Sequence, residues 1–171
     1  MSADVLITYA SRTGTTGELG NEIAMTLRRA GVPVDVMPVQ DVKTLIPYRA
    51  VVLGSAIRVT RWLPEAVNFV RTHRAALNNR LFAIYTVSLT LREDTPETRA
   101  LVESWVQPVR ELVHPVVEGY FPGAAHPAQL SLMDRLILRA SHVPYGDFRN
   151  SAAVRMWTAN ELMPALESVA A

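Results

Sequence analysis

Short apolar runs rich in β-branched residues alternate along this chain with segments that have the periodicity of amphipathic helices. Runs of this kind are typical of strands buried on both faces, and their alternation with helices is typical of parallel βαβ units. We therefore predict an α/β fold in which helices cover both faces of a five-stranded parallel sheet. The predicted strands are Asp4–Tyr9, Val32–Val39, Ala50–Gly54, Leu81–Val87 and Pro115–Phe121.

Helical periodicity predicts the elements that connect these strands. The predicted helices are Thr16–Ala30, a run from Pro64 to about Arg74, a run that begins at Pro96, and a last helix from Asn150 or Ser151 to Val169. Pro108 and Pro164 fall inside the last two runs, where a proline removes a backbone hydrogen bond and is expected to kink or shorten the helix. A helical turn or two is expected at Asp41–Leu45.

Residues 122–150 have a different composition, which begins with Pro, Gly, Ala and His and continues as an amphipathic stretch. Its apolar side carries Met133, Leu136 and Ile137, and its polar side is mostly basic, with Arg135 and Arg139. We interpret this segment as an insertion before the last helix of a single domain that covers residues 1–171. A basic amphipathic helix can lie on a membrane surface or bind an acidic apolar ligand. Packing against the domain is the alternative.

The residue types exclude several kinds of chemistry. The chain has no cysteine, which excludes disulfides, thiolate nucleophiles and sulfur-ligated metals, and its four histidines have no metal-like spacing. Seventeen basic residues against sixteen acidic ones do not indicate a nucleic-acid partner. Neither a spanning segment nor a secretion signal is recognisable, so we expect a cytoplasmic protein. The sequence is also compatible with peripheral membrane contact through residues 130–143 and with a homo-oligomer.

The segment from Ser11 to Thr16, which reads Ser-Arg-Thr-Gly-Thr-Thr, follows the first predicted strand, where open α/β sheets bind ligands. A helix start offers free N–H groups and the positive end of the helix dipole, and Gly14 lets the backbone approach an anion. The loop lacks the lysine of a nucleoside-triphosphate loop and the glycine spacing of a dinucleotide fold. A monophosphate therefore fits better than a triphosphate. Helix capping by the same hydroxyl groups is the alternative interpretation.

This loop resembles the first loop of the flavodoxin family, whose pattern Thr/Ser-x-Thr-Gly-x-Thr binds the phosphate of FMN. Ser11, Thr13, Gly14 and Thr16 match that pattern position by position. The resemblance implies a flavodoxin-like three-layer sandwich with the strand order 2-1-3-4-5, and FMN as the cofactor.

Two further segments are Ser55-Ala56-Ile57-Arg58, after the third strand, and Tyr85-Thr86-Val87-Ser88-Leu89, after the fourth. They resemble flavin-contacting loops of one branch of that family, the menaquinone-dependent protoporphyrinogen IX dehydrogenases. The branch also has a long insertion before the last helix, and Gly146-Asp147-Phe148-Arg149 is similar to a segment of its flavodoxin-domain proteins. The FMN contacts that the resemblance implies are Ser11, Arg12, Thr13, Gly14, Thr15, Thr16, Ser55, Ala56, Ile57, Arg58, Thr86, Val87, Ser88 and Leu89.

The function that follows from the resemblance is an FMN-dependent oxidoreductase, with protoporphyrinogen IX as a candidate substrate, a quinone as the acceptor, and a place in porphyrin biosynthesis. The flavin would carry the chemistry, so no catalytic protein residue is assigned. Arg58 is a candidate contact of the flavin or of a substrate carboxylate. Trp62 could stack on the flavin or belong to the core. A flavodoxin-type electron carrier and an NAD(P)H:quinone reductase remain alternatives, although carriers of the family are usually strongly acidic.

Overall fold

Five parallel strands form the central sheet in a computed structural model that describes residues 3–169. The strands are β1 (Val5–Ala10), β2 (Val34–Pro38), β3 (Ala50–Arg58), β5 (Leu81–Ser88) and β6 (Val117–Pro122). Their order is β2-β1-β3-β5-β6, and a short antiparallel strand, β4 (Arg61–Trp62), returns along the end of β3. The predicted order 2-1-3-4-5 is therefore confirmed, because the fourth and fifth predicted strands are β5 and β6.

Helices cover both faces of this sheet, as the alternating sequence pattern predicts. The helices are α1 (Thr15–Arg29), α2 (Pro64–Thr72), α3 (Arg74–Asn78), α4 (Pro96–Arg110), α5 (Leu132–Ala140), α6 (Ser151–Trp157) and α7 (Met163–Ser168). Successive side chains of β1 point to opposite faces of the sheet. Leu6 packs with residues of α2 and α4, whereas Val5 and Ile7 pack with residues of α1 and α6. The molecule thus has two hydrophobic cores, one on each face of the sheet.

Proline determines how two of the helices end. Helix α4 stops at Arg110, two residues after Pro108, so that it is shortened as expected. The predicted single helix from residue 150 to Val169 is instead divided into α6, a π-helical turn at Thr158–Leu162, and α7. Pro164 has no N–H group for the usual bond to the preceding turn, and the wider π turn accommodates this loss.

Two other expectations about the strands and their connections need correction. The sequence predicts a helical turn at Asp41–Leu45, but the structure has a 3₁₀ turn at Val39–Asp41, which ends where the expected turn begins. The third strand does not stop at Gly54 but continues to Arg58, and the fourth continues to Ser88. Several residues predicted to lie in loops after these strands are therefore the last residues of the strands themselves, where ladder hydrogen bonds hold their backbone.

The insertion leaves and rejoins the domain at one place. Strand β7 (Ala124–Ala125) pairs with strand β8 (Gly146–Asp147), which closes the base of the insertion, and α5 lies between them in the chain. Arg149 pairs with Asp147 and also with Glu18 on α1, and this fastens the segment to the domain. None of the described helices is long and apolar enough to cross a membrane.

Gly54 has to be small because the fully buried ring of Tyr85 lies against it. A Cβ at position 54 would overlap the ring, which has no space to move in the closely packed core. We expect Gly54→Ala to lower the free energy of unfolding by about 1–3 kcal/mol, measured by urea denaturation. Combining it with Tyr85→Leu should cost less than the sum of the two single changes. Strict additivity would contradict this account.

Candidate functional site

The cleft that contains the loop after β1, which we call the main cleft, opens at the carboxyl ends of β1, β3 and β5, below helix α5. It encloses about 780 Å³ including its open mouth. This is the edge at which open parallel sheets bind ligands. The structure brings most of the predicted site residues together in its wall. Those that line it are Ser11, Arg12, Thr13, Thr15, Thr16, Ala56, Ile57, Arg58, Val87, Ser88 and Leu89.

The loop after β1 is shaped by Gly14, whose φ of 90° lies in the left-handed region that glycine adopts without strain. The Ser11 hydroxyl accepts the Gly14 N–H at 2.9 Å, which turns the chain into α1. No side chain caps this helix. The N–H groups of Thr15, Thr16 and Gly17 therefore face outward at the positive end of the helix dipole, as a phosphate requires.

Thr16 supplies the clearest sign that the loop holds a ligand. Its side chain is fully buried, yet its hydroxyl has no hydrogen-bond partner among the described residues. Buried polar groups are normally paired, because leaving one unpaired costs free energy. Thr13 and Thr15 place two more hydroxyl groups beside it, with their oxygens 3.4 Å apart. This set of donors fits the phosphate of FMN.

Contacts from two other elements, β5 and α2, hold the loop in place. The Tyr85 hydroxyl donates to the Thr16 carbonyl at 2.9 Å, and burial raises the pKa of Tyr85, so that it remains a donor. Arg12 binds Glu65 at the start of α2 through two hydrogen bonds of 2.6 and 3.1 Å. That contact lowers the pKa of Glu65. The cradle is thus tied to both β5 and α2 before any ligand binds.

Three of the candidate residues lie behind the cleft wall. Ser55 accepts the Leu63 N–H at 3.0 Å, and Thr86 accepts the indole N–H of Trp62 at 3.0 Å. The side chains of Ser55, Thr86 and Trp62 are all buried. They brace the turn from β4 into α2. Trp62 therefore lies in the hydrophobic core, in agreement with the core interpretation, although it also lines a second cleft beside the β3–β4 hairpin.

The insertion supplies a wall that the sequence pattern did not specify. Leu130, Ile137 and Leu138 line the cleft together with the small residues 123–125. Asp134 also reaches the cleft, where its carboxylate accepts from Arg58 Nε at 2.7 Å. Hydrogen bonds from Ser131 and Arg58 lower the pKa of Asp134. The amphipathic period of α5 was visible in the sequence, but which of its faces meets the cleft was not.

A doubly wound parallel sheet with an anion cradle after its first strand defines a class of domains that bind phosphate-bearing cofactors. Within this class, the family described as "Flavodoxin domain" matches residues 6–148. The chain belongs to the flavodoxin domain family. Flavodoxin domains bind FMN, which supports the cofactor predicted from the loop.

Named relatives and a solved structure agree with this family. The chain is 29% identical over 106 residues to the Escherichia coli K12 protein named protoporphyrinogen IX dehydrogenase [quinone], a match that spans 59% of each protein. It is 26% identical to the Leishmania major protein of the same name, over 81% of this chain and 62% of that one. A Fusobacterium nucleatum flavodoxin bound to flavin mononucleotide superimposes with a TM-score of 0.56 at 12% identity, covering 93% and 95% of the two chains.

We expect Thr16→Val to weaken FMN binding by about 1–3 kcal/mol, because it removes a buried donor while it preserves the shape of the side chain. Thr8→Val is the matched control: the Thr8 hydroxyl is also buried and unpaired, but it does not line the cleft. The control should leave FMN affinity unchanged and should not lower the stability. Fluorescence titration of FMN into both apoproteins measures this, and equal affinities would contradict the assignment.

Proposed function

We propose that this protein is an FMN-dependent oxidoreductase that passes electrons from a reduced organic substrate to a quinone. The observation that carries the proposal is the apolar wall added by Leu130, Ile137 and Leu138. Beside a phosphate cradle, such a wall offers a contact surface for a bulky apolar reactant. The names of the Escherichia coli and Leishmania major relatives support protoporphyrinogen IX as a candidate substrate and a quinone as the acceptor.

The residues of the chain have binding and positioning roles in this proposal. The free N–H groups at the start of α1 and the hydroxyls of Ser11, Thr13 and Thr16 hold the phosphate. Ala56, Ile57, Val87 and Leu89 give the ring system an apolar setting that excludes water. FMN, when bound, supplies the electron acceptance and delivery that no protein side chain here provides.

An electron carrier is the principal alternative, because the same fold serves both purposes. Carriers rely on a strong charge of one sign to steer them to their partners. The seventeen basic and sixteen acidic residues of this chain do not supply such a field. The charge therefore favours an enzyme that meets a small molecule over a carrier that docks on a protein.

The test is anaerobic addition of protoporphyrinogen IX to the FMN-loaded protein, followed by a menaquinone analogue. We expect the absorbance of oxidised flavin to disappear and then to return. Leu138→Ala, on the cleft side of α5, should lower kcat/KM about tenfold through lost substrate contact. Leu136→Ala is the matched control, because this exposed side chain of the same helix does not line the cleft.

Each other outcome of this assay contradicts the proposal in a different way. Absence of reduction by protoporphyrinogen IX, with FMN bound, would favour a carrier. Reduction by NADPH alone would favour an NAD(P)H:quinone reductase. Equal rates in the Leu138 and Leu136 variants would remove the role of the apolar wall.

We also propose that α5 rests on an anionic membrane surface, where a quinone would be dissolved. Leu132, Met133 and Leu136 are 82%, 59% and 61% exposed. At 100° per residue they share one side of the helix, and Arg135 and Arg139 flank that side. An exposed apolar strip beside basic residues is the pattern of a helix that lies in the lipid interface.

Replacing Leu132 and Leu136 with glutamate should abolish sedimentation with vesicles that contain anionic lipid, because it removes apolar contact and adds negative charge. Ile46→Glu is the control: Ile46 is 85% exposed but precedes β3, at the opposite edge of the sheet. Its sedimentation should equal that of the unaltered protein. Sedimentation that persists in the double variant would contradict the membrane contact.

A further inference from the structure

The hairpin between β3 and β4 has an unfavourable backbone. Its two turn residues, Val59 and Thr60, have φ angles of 48° and 59°, in the left-handed region. Two-residue hairpin turns of this kind normally contain Asn or Gly, because a β-branched side chain is strained there. Local strain that a fold retains is concentrated at functional sites.

The same hairpin also has an unfavourable pair of charges. Arg58 and Arg61 are directly opposite each other in the β3–β4 ladder. Like charges at such positions repel each other. Arg58 is partly compensated by Asp134, but the Arg61 side chain has neither an ion pair nor a hydrogen bond among residues 3–169. One guanidinium group in the hairpin is therefore left without a counter-charge.

A second cleft lies beside this hairpin and is continuous with the first. Four residues line both clefts, namely Arg12, Arg58, Val59 and Leu63. The second cleft encloses about 740 Å³ including open solvent, and its other lining residues are Thr60, Arg61, Trp62 and Pro64. Three guanidinium groups thus face a single space, and only two carboxylates, Glu65 and Asp134, are paired with them. The remaining lining is largely apolar.

We propose that Arg61, together with Arg58, binds a carboxylate of the substrate in the second cleft, beside the main one. The single hydrogen bond from Arg58 Nε to Asp134 shows that a carboxylate can reach this guanidinium group. Guanidinium groups bind carboxylates through paired N–H donors. The apolar side chains of Val59, Leu63 and Pro64 suit an organic acid better than a free phosphate ion. This inference rests on the proposed function, because it describes how the same substrate is held.

The experiment compares protoporphyrin IX, the stable oxidised compound, with its dimethyl ester, both titrated in the same detergent into the FMN-loaded protein. The free acid should bind about three- to tenfold more tightly than the ester. Arg61→Gln should remove that difference and leave ester binding unchanged. Arg71→Gln, on α2 and outside both clefts, should behave as the unaltered protein.

Three results would overturn the inference: equal binding of acid and ester, unchanged acid binding in Arg61→Gln, or competition by inorganic phosphate as strong as competition by the acid. Its failure is distinguishable from failure of the proposed function. Acid binding that depends on Arg61, without flavin reduction by protoporphyrinogen IX, would keep the carboxylate site and reject the reaction. Flavin reduction with binding that ignores Arg61 would do the reverse.

Discussion

Three backbone N–H groups at the start of α1 have no acceptor among residues 3–169, and the site is organised around them. Gly14 and Ser11 turn the chain so that these donors converge, and the unpaired Thr16 hydroxyl adds a fourth. The buried, unpaired Thr16 hydroxyl is costly unless an anion pairs with it. Tyr85 stabilises it from below through the Thr16 carbonyl, and Gly54 makes room for the Tyr85 ring. The packing of Tyr85 against the sheet therefore also holds the loop that binds the cofactor in position.

The strands, the helices and the cradle could be predicted from local sequence patterns, whereas the strand order is implied by the resemblance of the loop after β1 to the flavodoxin family. Strand runs, helix periodicity and a glycine between hydroxyl residues each leave a signature within about fifteen residues. The short returning strand Arg61–Trp62 depends on contacts between distant segments. The same is true of the inward direction of the Ser55 and Thr86 side chains. Ser55, for example, faces inward because the Leu63 N–H needs an acceptor, and no local pattern indicates this.

Proline and the strand ends show a second limit of local patterns. The sequence predicts that Pro164 disturbs the last helix. The π-helical turn that accommodates it depends on how the whole helix packs on the sheet, which no local pattern indicates. The extension of β3 to Arg58 likewise depends on pairing with β5 and β4 rather than on the residues themselves. The ends of a strand or helix depend on the segments that it pairs with or packs against, whereas its presence can be predicted from its own sequence.

Helix α5 has little structural support of its own. It has nine residues, none of them buried, and a helix of this length is not stable by itself in water. Its position depends on the β7–β8 ribbon, on the Arg58–Asp134 pair and on contacts across the cleft. Exposed ion pairs contribute little, about 0–1 kcal/mol. The wall that distinguishes this cleft is thus its most easily displaced part, and a substrate that binds beneath α5 and at Arg58 would stabilise the surface that contains it.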